Sequence, residues 1–351
     1  GILTAAGMHG TNRKTSAPKP IISVLMPVRD ASDTVKEAVD SLWRQHFPFW
    51  ELIAVDDGSR DDSAEILQAC AAADPRVKVV RQPPRGIVAA LSTAAGMASG
   101  QFLARMDADD ISLPDRFGAQ LEMFNRIPTL ALCGTKVRLT GHGISCGYRR
   151  YEAWLNSLVT PEDHARECFV ECPIAHPTFM MPRAWYESAG GYRDTPWPED
   201  YDLLLRIWQA GGRMAKPDAV LFEWRHRPQR LSQTDPRYAP EAFRKIKRHY
   251  LPRSSAPLYQ WGAGEVGKLW LKDWQAEAKK GGLRPVAVVD INPRKIGRII
   301  HGFRVIDPSD LPPPGLCWIA VTVGAPGARE EIRDWLVPRG YREGTDFLFL
   351  A

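Results

Sequence analysis

The sequence predicts an α/β protein: a mainly parallel sheet with helices on both faces, followed by a smaller α/β domain. Three observations carry that expectation. Short apolar runs alternate with helix-period stretches through the first third of the chain, the pattern of strand–helix–strand units. Three of those runs end in polar clusters, at residues 27–30, 56–59 and 107–110. The alternation stops near Leu130 and restarts after residues 252–257, which read as a linker. At 351 residues the chain also exceeds what one core usually holds. The expected division is a flexible leader at 1–18, a first domain at 19–250, a linker at 251–257 and a second domain at 258–351. The leader lacks the apolar core of a signal peptide.

Taken in order, residues 21–26 are an apolar run stopped by Pro27 and read as a buried strand. Ser32 is the expected N-cap of the next helix. Val35, Ala38, Val39, Leu42 and Trp43 fall on one face of it. Residues 52–55 form the second strand, and Asp62 with Glu65 has the spacing of a capping box opening a helix through Ala73. A third strand is expected at 77–80, a third helix at 87–97 and a fourth strand at 102–106. Open parallel sheets bind ligands beyond the carboxyl ends of their strands, so the three polar clusters should meet at one site.

Beyond Leu130 the segments become shorter and richer in Pro, Gly and aromatic residues. One clear helix is expected at 201–210, closed by Gly211-Gly212 and preceded by Trp197-Pro198-Glu199-Asp200. A basic helix follows at 241–250, with Arg244, Lys245, Lys247 and Arg248. It reads as a solvated face, with contact to anionic lipid headgroups as the alternative. In the second domain an opening strand leads into Gly262-Ala263-Gly264-Glu265-Val266-Gly267, and a strand at 286–289 ends at Asp290. That is G-x-G-x-x-G with an acid near the expected distance, in a strand–turn–helix setting.

Composition narrows the function classes. With 44% hydrophobic and 25% charged residues the chain is an ordinary folded one. A net charge of +5, from 46 basic and 41 acidic residues, suits anionic substrates or an anionic membrane surface and is weak for a nucleic-acid partner. No apolar run approaches the roughly 18 residues of a transmembrane helix. The six cysteines follow no disulfide framework and read as reduced thiols of a cytoplasmic protein. His164, Cys168, Cys172 and His176 would form a stripe about 18 Å long on one helix, too long to converge on zinc.

The densest chemistry lies in Arg105-Met106-Asp107-Ala108-Asp109-Asp110. Three carboxylates in four residues repel one another unless something positive sits against them. A hard divalent cation such as Mg²⁺ or Mn²⁺ fits, because it takes carboxylate oxygens and keeps positions open for phosphates. The alternative is a helix-capping turn. Residues 112–115 already offer an N-cap and a first-turn proline, so capping accounts for Asp110 and leaves Asp107 and Asp109 without a role.

Residues 23–30, Val55-Asp56-Asp57-Gly58-Ser59, residues 105–110 and Pro198-Glu199-Asp200-Tyr201-Asp202-Leu203 together resemble the family 2 glycosyltransferases, inverting enzymes of the GT-A fold that use nucleotide sugars. The likeness runs from about residue 20 to about residue 235. It implies a GT-A-type, Rossmann-like sheet for the first domain. It also implies that Pro27, Val28 and Arg29 line the base pocket and that Asp57 accepts a hydrogen bond from uracil. Many relatives carry an aromatic at the Arg29 position; an arginine plane can also stack on a base. Arg85 would contact phosphate or ribose. Asp107 and Asp109 match the D-x-D motif, Asp109 as the direct metal ligand, and Asp200 matches the general base. Trp224-Arg225-His226-Arg227 and Arg230-Leu231-Ser232 resemble the segment that closes over the diphosphate, which implies Arg225 and Arg230 on the diphosphate, His226 as a further metal ligand, and Arg105 and Glu199 against the substrate. The implied cofactor is Mn²⁺ or Mg²⁺, the donor a UDP-sugar and the acceptor a glycan or lipid-linked hydroxyl in polysaccharide biosynthesis. Location is expected in the cytoplasm or at the cytoplasmic face of the membrane.

The second domain resembles the Rossmann-like domain that precedes some sugar acyltransferases, through residues 262–267, Asp290-Ile291-Asn292-Pro293 and Gly302-Phe303-Arg304-Val305-Ile306. It is too short to carry its own catalytic half. A regulatory, nucleotide-binding or oligomerising role stands beside a purely structural one. Three rival functions remain: a non-catalytic nucleotide-sugar sensor, an NAD-dependent oxidoreductase built on the C-terminal glycine loop, and a nucleotidyltransferase. The oxidoreductase leaves Asp107, Asp109 and Asp200 unexplained. The nucleotidyltransferase lacks a Gly-rich, Arg-containing loop after the first strand.

Overall fold

The computed structural model describes residues 18–227 and 234–351; the expected leader lies almost wholly outside them. Strands β1 (Ile22–Val28), β2 (Trp50–Asp57), β3 (Val77–Gln82) and β4 (Phe102–Arg105) are parallel and lie in the order β3-β2-β1-β4. The chain continues through β5 (Ile111–Ser112), β6 (Leu130–Cys133), β7 (Lys136–Gly141), β8 (Met180–Pro182), β9 (Arg213–Ala215) and β10 (Val220–His226). The large sheet extends as β4-β8-β6-β9, with β8 antiparallel to both neighbours, and β5-β10-β7 form a small second sheet. Strand order reverses direction between β1 and β4, which opens a crevice at their carboxyl ends.

Two-sided burial explains the unbroken apolar strands. All eight residues of β2 are buried, as expected of a parallel strand covered on both faces. Leu25, Ile53, Val55 and Leu103 pack in one layer with helix α3 (Ile87–Met97). Val24, Met26, Leu52 and Ala54 pack in the other with α1 (Val35–Trp43) and α2 (Ser63–Ala73).

Local details depart from expectation. Pro27 does not stop the first strand, which runs on to Val28. Pairing with β4 ends at Leu25, so the missing N–H of Pro27 breaks no ladder there. Thr34, not Ser32, precedes α1; the Ser32 N–H instead donates to Asp61 Oδ2 at 3.0 Å. Asp62 makes no cap bond to α2, because Asp61 Oδ1 takes the N–H and hydroxyl of Ser63. Likewise Ser112 does not cap the helix Arg116–Arg126: its hydroxyl accepts from Arg116 Nη1.

The last part of the chain forms a separate sheet from β11 (Leu258–Trp261), β12 (Val288–Val289), β13 (Ile299–Ile300), β14 (Phe303–Ile306), β15 (Trp318–Val321) and β16 (Phe347–Phe349). Their order is β13-β14-β12-β11-β15-β16, parallel except for β13. The glycine loop sits between β11 and the helix Glu265–Ala278. A Cβ at Gly267 would lie 2.1 Å from the Gly262 carbonyl oxygen, so this glycine is demanded by helix–strand packing. Gly267→Ala is expected to cost about 1–3 kcal/mol of stability, measurable by chemical denaturation.

The basic helix Pro240–Tyr250 faces this second sheet unit rather than solvent or lipid. Arg244 and Arg248 both bind Asp273 at 2.7 Å. Lys247 is buried and donates to the carbonyls of Val170 and Leu350, each at 2.8 Å. Ile246 and Tyr250 share one apolar cluster with Trp270 and Trp274. Three of the four charges that suggested a headgroup contact are therefore spent within the chain, while Lys245 is exposed. Among the described residues no helix is long and apolar enough to cross a membrane.

Candidate active site

Two cavities meet at the carboxyl ends of the central strands. The larger, about 1140 Å³, is lined by the β1 end (Pro27, Val28, Arg29, Asp30), Asp57, Gly86, the acids Asp107 and Asp109, and then Arg227 and Arg237. The three strand-end clusters therefore do converge. Asp57 is nearly buried, and its carboxylate organises the loop after β3: Oδ1 accepts from Gln82 Nε2 (2.8 Å) and Arg85 N (2.9 Å), Oδ2 from Gly86 N (2.8 Å). A carboxylate offers about four acceptor sites, which leaves one on Oδ2. Arg85 contributes its backbone N–H here, while its side chain is exposed.

Carboxylate oxygens of Asp107, Asp109 and Asp110 lie within 4.8 Å of one another, a spacing that could hold one ion. Asp110, expected in a helix-capping turn, is instead fully buried and its Oδ1 accepts the backbone N–H of Arg225 at 2.8 Å, fastening β10 to the acid loop. Arg227 Nε lies 3.6 Å from Asp109 Oδ2, and its Nη2 donates to Asp33 at 3.0 Å.

Several expected contacts fall elsewhere. Arg225 places its guanidinium on Glu37 (2.8 Å), while Arg227 pairs with Asp109. His226 does not join the acid group: its ring packs on Tyr148 with centroids 4.4 Å apart and lines the second cavity. Strand alternation accounts for this split, since 225 and 227 share one face and 226 takes the other. Arg230 lies outside the described residues.

Arg105, expected against substrate, is 2% exposed and serves as a buried strut. Its Nη2 donates to Asp107 Oδ1 (2.7 Å), its Nη1 to the carbonyls of Leu25 and Met106, and its Nε to His176 Nε2 (3.0 Å). Burial, and then Arg105 itself, push His176 well below its ordinary range. The imidazole is therefore neutral, with Nδ1 carrying its proton 3.7 Å from Glu199 Oε1. Glu199 is also buried, and its Oε2 accepts from the Tyr238 hydroxyl at 2.6 Å. One continuous polar chain thus runs from Asp107 through Arg105 and His176 to the residue beside Asp200. Arg105→Met would strand buried partners at both ends and is expected to cost about 3 kcal/mol, read as an earlier denaturation midpoint.

The second cavity, about 410 Å³, contains Asp200. Its walls include Tyr148, Tyr151, Glu171, His176, Trp224, His226, Tyr238 and Phe243. Asp200 sits in the first turn of the helix Glu199–Gln209, and Oδ1 accepts its neighbour's N–H, that of Tyr201, at 2.8 Å. Burial first, then the adjacent Glu199, push its carboxyl up to about 8. A base poised near the working pH is what proton abstraction needs. Consecutive residues divide between the two cavities: His226 and Tyr238 line this one, Arg227 and Arg237 the other.

The architecture is the GT-A fold, shared with solved glycosyltransferases. TarS 1–349 of S. aureus, solved in complex with UDP-GlcNAc, superposes with a TM-score of 0.51 at 18% identity, covering 65% of each chain. The mannosyltransferase PcManGT of Pyrobaculum calidifontis, in complex with GDP-Man and Mn²⁺, gives 0.50 at 18%, covering 76% of this chain and 66% of that one. Residues 23–188 match the family model described as Glycosyl transferase family 2. Among its relatives, EpsE of Bacillus subtilis (strain 168) is 29% identical over 59% of this chain and 73% of its own. The chondroitin synthase of Escherichia coli is 30% identical over 55% of this chain, which spans only 27% of that synthase.

Arg237, Tyr148 and Tyr151 were not singled out from sequence, and Arg227 and Trp224 only as members of the segment around Arg225 and His226. Reading residues 220–226 as a strand would have separated Trp224 and His226 from Arg225 and Arg227.

Proposed function

We propose that the chain transfers a sugar from a nucleotide donor, a UDP-sugar, to a hydroxyl of a glycan or lipid-linked acceptor, with inversion at the anomeric carbon. The observation that carries this is the pairing of an acid- and arginine-lined cavity with a second one holding Asp200, across a wall made of consecutive residues. Solved neighbours holding UDP-GlcNAc or GDP-Man with Mn²⁺, and relatives named as synthases, support a nucleotide-sugar donor.

In this reading Pro27, Val28 and Arg29 flank the base, and the remaining acceptor site of Asp57 takes the uracil imide N–H. The oxygen-only group of Asp107, Asp109 and Asp110 fits a hard cation, Mn²⁺ or Mg²⁺. When bound, that ion would supply Lewis-acid neutralisation of the diphosphate. Arg227 and Arg237 add positive charge to the same cavity. Asp200 takes the proton of the acceptor hydroxyl as its oxygen bonds to the anomeric carbon. The bond from that carbon to the diphosphate oxygen breaks, and its electron pair leaves with the diphosphate.

The glycine loop does not favour an oxidoreductase. Asp290, where a ribose-binding acid would stand, accepts from Ala263 N and Lys295 Nζ, each at 3.1 Å, and from Asn292 N at 2.9 Å. A thermal-shift panel of nucleotide sugars with and without Mn²⁺ tests the proposal. Stabilisation by UDP-sugars that grows with Mn²⁺ is expected; stabilisation by NAD(H) alone would reject it.

A further inference from the structure

The two cavities differ in charge in a way that bears on the acceptor. Arginines 29, 227 and 237 line the larger one, as a diphosphate requires. Around the smaller one the charged groups are acids: Asp200 and Glu171 line it, and Glu199 is buried next to Asp200. Among its described lining residues there is no lysine or arginine, and His176 is held neutral. A uronate or a sugar phosphate would bring a second negative charge into a desolvated space with no cation to receive it. The lost hydration opposes that, and so does like-charge repulsion once Asp200 has given up its proton to act as base.

The remaining walls are apolar and rich in aromatic rings, beside aliphatic Leu139, Ile174 and Pro198. Tyr148 packs on His226, and Tyr151 lies near Trp154 and Trp224 with centroids 6.0 and 6.4 Å away. The negative face of such rings attracts polarised C–H bonds, which a pyranose presents on its less polar side. A volume of about 410 Å³ lies toward the small end of ligand sites, room for about one ring rather than a chain.

We infer that the unit carrying the acceptor hydroxyl is an uncharged pyranose, and that this cavity excludes uronates and sugar phosphates. The inference rests on the cavity being the acceptor site. The test uses the full chain with UDP and Mn²⁺ present, and saturation-transfer NMR with matched methyl glycosides: neutral hexosides and N-acetylhexosaminides, their uronides and their 6-phosphates. Neutral members should bind at least tenfold more tightly than their anionic partners. Tyr148→Ala, at an exposed ring, should weaken them about fivefold or more, and Glu171→Gln should narrow the gap to the uronides. Anionic members binding as tightly as neutral ones, and weakened by Tyr148→Ala, would overturn the charge inference while keeping the acceptor site. Binding that neither variant alters, or no glycoside binding at all, would overturn the acceptor assignment and the inference with it.

Discussion

Asp200→Asn is expected to lower kcat by about 10²–10⁴-fold, the usual contribution of a positioned base, while UDP affinity changes by less than about twofold. The amide keeps the size of the carboxyl and can still accept the Tyr201 N–H, so a folding defect is not the expected cause. Nucleotide release assays and calorimetry on the same preparation separate the two effects. Near-normal turnover would reject Asp200 as base. The pH profile gives a second reading. Burial and Glu199 push the Asp200 carboxyl up to about 8, and a base works only when deprotonated. Turnover should therefore rise as pH climbs through about 8 and be lost below it. Glu199→Gln removes the neighbouring negative charge, so the acid limb should move to lower pH. A limb already near the ordinary carboxylate value of about 4 would show that the cavity is wetter than its walls suggest.

Asp109→Ala is expected to abolish the Mn²⁺-dependent part of UDP binding, a loss of at least about 10–100-fold, the range commanded even by supporting residues of metal sites. Calorimetry with and without Mn²⁺ measures it directly. Affinity that still depends on Mn²⁺ would sink the metal assignment. The variant also frees Arg227 from its acid partner, so binding without metal should hold or rise slightly. Asp110→Ala should behave differently, because it releases the backbone of Arg225 and with it the β10 end.

The parallel half of the fold was legible because its strands are long, apolar and separated by helix-period stretches. The β2 strand, buried on both faces, could be read from residues 52–55 alone. Legibility failed where elements are short or where side chains compete for one partner. Strand β5 has two residues and pairs only through β10, so no periodicity announces the second sheet. Trp224-Arg225-His226-Arg227 was recognised as a functional segment, yet which arginine meets Asp109 depends on Glu37 and Asp33 of distant chain. The burial of Arg105 was not legible for a related reason. An arginine beside an acidic motif suggests substrate, and only three-dimensional packing shows its donors spent on His176, Asp107 and two carbonyls. The acids themselves were found because a local concentration of like charge is visible without any partner.

On the proposed assignment of donor and acceptor, the partition built from neighbours His226 and Arg227, and again from Arg237 and Tyr238, joins the fates of the two substrates. A mutation that widens the sugar's side of that strip disturbs the backbone presenting cations on the nucleotide's side. Acceptor range and donor affinity would then evolve as one trait, and a lineage exploring new glycans would have to retune its grip on the donor at each step.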